Sequence, residues 1–546
     1  MNLLIYLKKN IFLYLFFTTI LIIGFLIFKD YGLYLDEDNS RENGLVSLSY
    51  VIEIFFPTLT SGIEQFTNVP NIHDYYQQGN GVVFDAPMAF FELIFNINDS
   101  RTFYLFRHFF NFIFFFTSLI FFYKIVRKRF NSLFMGVVGV LFLFFTPRIF
   151  AESFYNTKDI FFMSLFIIAL FTAINFLEKK TYKSALLFAL ATSLMIDTRI
   201  VGIYMPILVC FFYIIDLLRD KNFTKRNIFS LLIFIFFSSI FIIIFWPFLW
   251  EQPIQNLIAV FQNLAKHDVD IYNFYLGEYV KAKNVPWHYL LVWISVTTPL
   301  FYLIFFIIGF FLIIRRFISR LLKIEENESY NDLWRGKKEL HDLIYVFTFL
   351  IPLFVVSLLG STLYDGWRHL YFIYPSFLMI CLFGLNYINT FMFKKFYQVK
   401  YFIIILTILP LGYWMYQHHP NQNIFFNILV GKDFNNKFEM DYWGISNKGA
   451  LEYIIKNNNQ IVKITNINTS DLNLSKNILE KIDRDRIEIV ENFQDADFII
   501  NNFRDWNGLT KPQNYKIPQN YVIYHEIKVD EVVINRIYKN KNIILN

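Results

Sequence analysis

The sequence is poor in cysteine, glycine and net charge, and each shortage removes a class of protein. Only Cys210 and Cys381 occur in 546 residues, both inside apolar runs, so neither a disulfide framework nor a thiolate zinc site is available. A net charge of +6 is small for this length and gives no reason to expect nucleic-acid binding. Glycine and alanine are sparse while Phe, Ile, Asn and Lys are heavily used, a compositional bias without functional content. No cleavable leader is expected. Residues 11–28 run past an ordinary signal-peptide core and lack a small-residue cleavage site, so the first helix should remain as an anchor. No internal repeat is evident, which weakens an inverted-repeat transporter.

What is abundant is apolar surface. Hydrophobic residues make up 55% of the chain, 70 of them phenylalanine, and the mean hydropathy is +0.40. Apolar runs of membrane-spanning length fall at 11–28, 104–123, 132–146, 160–177, 184–198, 200–217, 228–249, 288–314, 342–360, 370–390 and 401–417. They predict an α-helical polytopic membrane protein with about eleven transmembrane helices. With the N-terminus in the cytoplasm, alternate loops are basic, as the positive-inside rule requires. They carry Lys8-Lys9, Lys124 with Arg127–Arg129, Lys179-Lys180 with Lys183, Arg219 with Arg226, Arg315-Arg316 with Arg320 and Lys323, and Lys394-Lys395. The first opposite loop, 30–103, holds only Arg41 and Arg101, while 250–287 fits least well, with Lys266, Lys281 and Lys283.

This topology puts 30–103, 147–159, 250–287, 361–369 and the break at 197–199 outside the cytoplasm. Residues 1–417 form the membrane domain. Within its first outer loop the apolar stretch 82–95 reads as a helix lying in the interface. Residues 418–546 are a polar linker and a small extracytoplasmic α/β domain, with a helix near 448–456 and strands near 460–465, 487–490, 497–501, 521–525 and 532–537.

Five polar constellations share that outer face. Asp36-Glu37-Asp38 follows the first span. Asp85-Ala86-Pro87 and Arg107-His108 bracket the interfacial stretch. Pro147-Arg148 and Asn156-Thr157-Lys158-Asp159 form a short loop in which Asp159 reads as a helix cap. Asp197-Thr198-Arg199 interrupts two apolar runs, where charge is costly and marks function by default. Tyr364-Asp365-Gly366-Trp367-Arg368-His369 joins aromatics, a cation and an imidazole. Singly, each is explained by solvation, capping or interfacial anchoring. Together, carboxylates beside several cations suit a phosphate-bearing membrane lipid: the cations neutralise a departing phosphate, and a carboxylate deprotonates an incoming hydroxyl or amine.

In these residues, and in Asp441-Tyr442-Trp443-Gly444 after the last span, the chain resembles the polytopic GT-C glycosyltransferases. The likeness is to the relatives of protein O-mannosyltransferases and of the lipid A aminoarabinose transferase, over about residues 1–445. The resemblance implies inverting sugar transfer from a polyprenyl-phosphate or polyprenyl-diphosphate donor to a lipid, glycan or protein acceptor on the outer face of a bacterial inner membrane. Asp36 and Glu37 would be the catalytic carboxylates, with Asp36 the general base and Glu37 or Asp85 orienting the acceptor. Lys158, Arg199 and Arg368 would hold the donor phosphate, with Arg107, His108 and His369 assisting. No cofactor or metal would be required. Because Asp38 follows directly, the base is one of three neighbouring acids. The rival readings are a flippase of lipid-linked sugars, expected to carry polar sites at mid-membrane depth, and a non-catalytic scaffold, which leaves these cations without a role.

Overall fold

A computed structural model describes residues 2–60, 62–265, 269–322, 333–392 and 398–544. Lys266, Lys323, Lys394 and Lys395, and the side chains of Lys8 and Lys9, lie outside what is described. The protein is an α-helical, multi-pass membrane protein with a small C-terminal sheet. Among the described residues nine helices are long and apolar enough to cross a bilayer, or ten if the pair Leu133–Phe144 and Pro147–Tyr155, bent by 70°, counts as one span.

The differences from the eleven expected spans have local causes. Pro147 opens a new helix at its first position, where proline is well tolerated, and so makes the 70° bend. Helix Tyr182–Thr198, the expected fifth span, has only 17 residues, close to the lower limit for crossing. The expected span 288–314 is divided into Tyr289–Thr297 and Leu300–Leu322. Thr298 is extended there, because a residue before proline is driven out of the helical region. Likewise helix Lys225–Phe245 stops before Pro247 rather than continuing to 249.

Helices pack closely where side chains are smallest. A Cβ on Gly309 would overlap the carbonyl oxygen of Ile380, and one on Gly384 would overlap that of Phe305. The backbones of Leu300–Leu322 and Tyr374–Tyr387 therefore touch, the arrangement that substitutes for hydrophobic driving force inside a bilayer. Two amphipathic helices carry exposed apolar residues near the ends of spans. Asp85–Ile94 shows Phe90 and Ile94, and Pro253–Ala265 shows Ile254, Ile258 and Phe261, as interfacial helices do.

The two ends of the bundle are each tied by charge. At one end Arg129 grips Asp342 through both Nε (2.5 Å) and Nη2 (2.7 Å), and Arg316 adds a third contact at 2.6 Å. Lys180 meets Asp216 there at 2.5 Å, and Lys128 meets Glu178 at 2.5 Å. These are the loops expected to be cytoplasmic. The five constellations expected on the other face all fall at the opposite end.

Beyond the last span, β3 (Val462–Asn466), β4 (Ile487–Ile489), β5 (Phe498–Asn501), β6 (Tyr521–Val529) and β7 (Val532–Asn540) form a sheet in the order β4-β3-β5-β7-β6. A short antiparallel hairpin earlier in the chain supplies β1 (Tyr272–Tyr275) and β2 (Glu278–Lys281). Strand β3 runs parallel to both neighbours, while β5, β7 and β6 are antiparallel. Helix Asn447–Lys456 buries Ala450, Leu451 and Ile454 against Ile464, Phe498 and Ile500. The same helix donates Lys448 Nζ to the carbonyl of Lys29 at 2.6 Å, so the sheet region is docked on the end of the first span.

Candidate active site

The first span hands its chain to the site through a short clamped segment. Tyr31 stacks on Phe154 with ring centres 4.6 Å apart, and the Tyr34 hydroxyl bonds Thr157 Oγ1 at 2.9 Å. A helix then starts at Glu37 and runs to Phe55, with Asp36 at its N-cap. The Asp36 side chain makes no capping bond. Its carboxylate instead lies 3.6 Å from Arg368 Nη2, with the side chain 38% exposed.

Its two acidic neighbours have other partners. Glu37 is fully buried, its Oε2 3.1 Å from His108 Nε2. Asp38 accepts from the Tyr104 hydroxyl at 2.9 Å and is otherwise exposed. Geometry thus separates three acids that are adjacent in sequence: one buried pair, one tethered surface acid and one open carboxylate facing a guanidinium.

Asp159 is the hub of the cation cluster. It opens helix Asp159–Lys179, and its Oδ1 is bonded by Arg199 while Oδ2 accepts from Arg368 Nη1 at 3.1 Å. Asn156 holds the same carboxylate from below, through its side-chain amide at 3.2 Å and by accepting the Asp159 backbone N–H at 2.8 Å. Arg368 also meets Asp365 at 3.3 Å and lies between the rings of Tyr364 and Trp443, 4.8 and 5.0 Å from their centres. The break after Thr198 puts Arg199 in extended conformation at the end of its helix, which lets it reach sideways to Asp159.

Lys158 is half-buried, and no ion-pair or hydrogen-bond partner is found for its ammonium among the described residues. Burial first, then the neighbouring Arg199, pushes its pKa down to about 8, with Asp36 and Asp159 opposing. It lines a narrow cleft with Ser40, Asn43, Gly81, Asp85 and Thr198. Asp36, Asp159, Arg199 and Arg368 do not line this cleft. Burial raises the Asp85 pKa against the pull of Arg107, whose guanidinium is bonded to it. Arg107 is fully buried. His369 packs on Tyr364 with ring centres 4.8 Å apart and lies within electrostatic reach of Asp159.

Of the residues singled out in the sequence, Asp36, Lys158, Arg199 and Arg368 come together around Asp159. Glu37 with His108, fully buried, and Asp85 with Arg107, part-buried, form a supporting layer of pairs. Sequence reading passed over Asp159 as a cap, since a carboxylate at a helix start is ordinary. It also gave no weight to Arg504, which reaches the site from beyond β5 and sits in no recognisable motif. A much larger cavity, about 1230 Å³, lies elsewhere, between the segment around 427–440 and the β6–β7 hairpin.

Residues 86–249 match the family model described as dolichyl-phosphate-mannose-protein mannosyltransferase. That stretch holds Arg107-His108, Lys158-Asp159 and Thr198-Arg199, while Asp36 and Arg368 fall outside it. No curated protein matches the chain. Among solved structures, the chain is similar to an oligosaccharyltransferase from Archaeoglobus fulgidus crystallised with Zn and sulfate (9% identity, TM-score 0.45, 89% of this chain and 68% of that one). It is also similar to ArnT from Cupriavidus metallidurans in the apo state (9% identity, TM-score 0.46, 97% and 98%) and bound to undecaprenyl phosphate (10% identity, TM-score 0.42, 97% and 98%). Scores this low carry no residue correspondence. Over residues 86–249, then, the chain is similar to the protein mannosyltransferases, relatives within the GT-C glycosyltransferases that its loop motifs resemble.

Proposed function

We propose that this protein transfers a sugar from a polyprenyl-phosphate or polyprenyl-diphosphate donor to an extracytoplasmic lipid, glycan or protein, with inversion. The observation that carries the reading is the pairing of one open carboxylate, Asp36, with Arg368 at 3.6 Å and with the uncommitted ammonium of Lys158 nearby. In the reaction Asp36 takes the proton of the acceptor hydroxyl or amine as that atom bonds the anomeric carbon. The bond from the anomeric carbon to the phosphate oxygen breaks, and the electron pair leaves with the polyprenyl phosphate. Lys158, Arg199 and Arg368 receive that charge.

Asp159 fixes two of those cations without cancelling both, since one carboxylate faces two guanidiniums. Preorganised charge of this kind costs no rearrangement when the leaving group forms. The proposal gives charge neutralisation to side chains and requires no metal. It sets the site on the outer face of a bacterial inner membrane, with the N-terminus cytoplasmic. Support for that sidedness comes from the basic loops at the opposite end. A test is mass spectrometry of surface glycolipids and glycoproteins from cells lacking the protein, complemented with wild type or Asp36→Asn. We expect one sugar addition to vanish in the deletion and return only with wild type. An unchanged glycoconjugate profile in the deletion would refute the reading.

A further inference from the structure

A ladder of alternating charge runs from Asp36 away from the membrane domain. Arg368 Nη2 reaches Asp36 and Asp365. The other oxygen of Asp365 accepts from Arg504 Nη2 at 3.0 Å, and Arg504 Nη1 is bonded to Glu439. Arg504 is 2% exposed at its side chain, as are its partners to within a few per cent. Arg504 follows β5 of the C-terminal sheet, whereas Arg368 opens a membrane-embedded helical segment. No continuous stretch of chain joins them near the site. The ladder is thus a connection that only tertiary structure makes.

The loop carrying Arg368 needs outside support. Asp365 and Gly366 both have positive φ, 57° and 72°, a conformation uncommon outside glycine, which two successive residues hold when their surroundings support it. Those surroundings are Asn273 Oδ1, which accepts the Asp365 N–H at 3.1 Å, Glu439 Oε1, which accepts the Gly366 N–H at 3.2 Å, and Arg504 on the Asp365 carboxylate. Arg504 is one of these three supports and grips a second, Glu439. A guanidinium can do this since its donors lie in a rigid planar fork, whereas lysine offers one point charge.

Resting on the function proposed above, we propose that Arg504 is a positioning residue: by holding Asp365 and Glu439 together it fixes Arg368 in the orientation that receives the donor phosphate, so that the C-terminal sheet region is part of the site. Without Arg504 the buried Glu439 loses the cation that grips it, Asp365 keeps only Arg368, and the 364–369 loop loses its clamp, so that Asp365 draws Arg368 out of the orientation that receives the phosphate. The effect should fall on phosphate binding rather than on proton abstraction, because Asp36 itself does not touch Arg504.

The experiment measures undecaprenyl phosphate binding by the full-length chain in lipid nanodiscs, for wild type, Arg504→Gln, Arg504→Lys, Asp365→Asn and the double variant Arg504→Gln with Asp365→Asn. Loss of a charge-assisted contact predicts about tenfold weaker binding for Arg504→Gln. Arg504→Lys should weaken binding by about threefold, since one of two carboxylates keeps a partner. The double variant should be no worse than the weaker single one, the signature of residues acting through one chain. Wild-type affinity in both Arg504 variants, or additive losses in the double variant, would overturn the ladder while leaving the donor reading intact. Should Arg504→Gln fail to fold, Arg504→Lys decides alone, wild-type affinity overturning the proposal. Absence of binding by the wild-type chain would overturn the donor reading and the ladder with it.

Discussion

Substituting the three neighbouring acids one at a time separates catalysis from stability in a way the geometry quantifies. Asp36→Asn keeps shape and hydrogen-bonding capacity but removes the base. Its pair with Arg368 is long, 3.6 Å, and the side chain is 38% exposed, so losing it should cost less than about 1 kcal/mol of stability. The loss of general-base catalysis should instead lower the transfer rate by a factor of about 10² to 10⁴. Glu37→Gln is the reverse case. Its carboxylate is fully buried on His108 with Oε1 lacking a hydrogen-bond partner, and converting it to an amide disturbs a buried carboxylate–imidazole hydrogen bond, at about 1–3 kcal/mol. Asp38→Asn keeps an acceptor for the part-buried bond from Tyr104 on an otherwise exposed side chain and should change both properties little. The assays are thermal unfolding in detergent and surface-glycoconjugate mass spectrometry of complemented cells. Expected are normal melting with lost modification for Asp36→Asn, lowered melting for Glu37→Gln, and near-native behaviour for Asp38→Asn. Native modification with Asp36→Asn, or its loss with Asp38→Asn alone, would refute the assignment of the base.

Donor binding should depend on pH through Lys158, whose pKa is pushed down to about 8. The donor phosphate is esterified to both the sugar and the polyprenol and so does not titrate near neutral pH; affinity should therefore fall as pH rises through about 8, by about tenfold between pH 7 and 9, as the ammonium deprotonates. Lys158→Arg should flatten the profile; an unchanged slope would remove Lys158 from the phosphate site. Gly81→Ala should abolish transfer and lower the melting temperature, because a Cβ there would overlap the carbonyl oxygen of Asp197 and push the first outer loop off the cleft that Lys158 and Asp85 line; native melting and activity would contradict this. At the far end of the bundle, Asp342→Ala leaves Arg129 and Arg316 without their shared carboxylate. That should cost about 3–5 kcal/mol, visible as a large fall in melting temperature, with donor affinity of the folded fraction unchanged.

The sequence by itself determined the membrane class, the run of apolar helices and the face on which the unusual charges gather, because hydropathy and loop charge are local properties that a bilayer reads residue by residue. It also located the helix and every strand of the C-terminal sheet to within a few residues, since their periodicities are local. It missed the division at Pro299, where a continuous apolar run hides a turn that proline imposes, and it read as loop the stretch Pro147–Tyr155 that forms a short helix. What only the tertiary structure decided is which of Asp36, Glu37 and Asp38 stays open. That choice depends on His108 and Tyr104 arriving from a helix more than sixty residues further on. Asp159 looked like a cap because a helix start explains a carboxylate, and its second role exists only once Arg199 and Arg368 fold onto it. Arg504 was illegible for the same reason: a buried charge takes its meaning from its partners, and Asp365 and Glu439 are brought to it by packing alone.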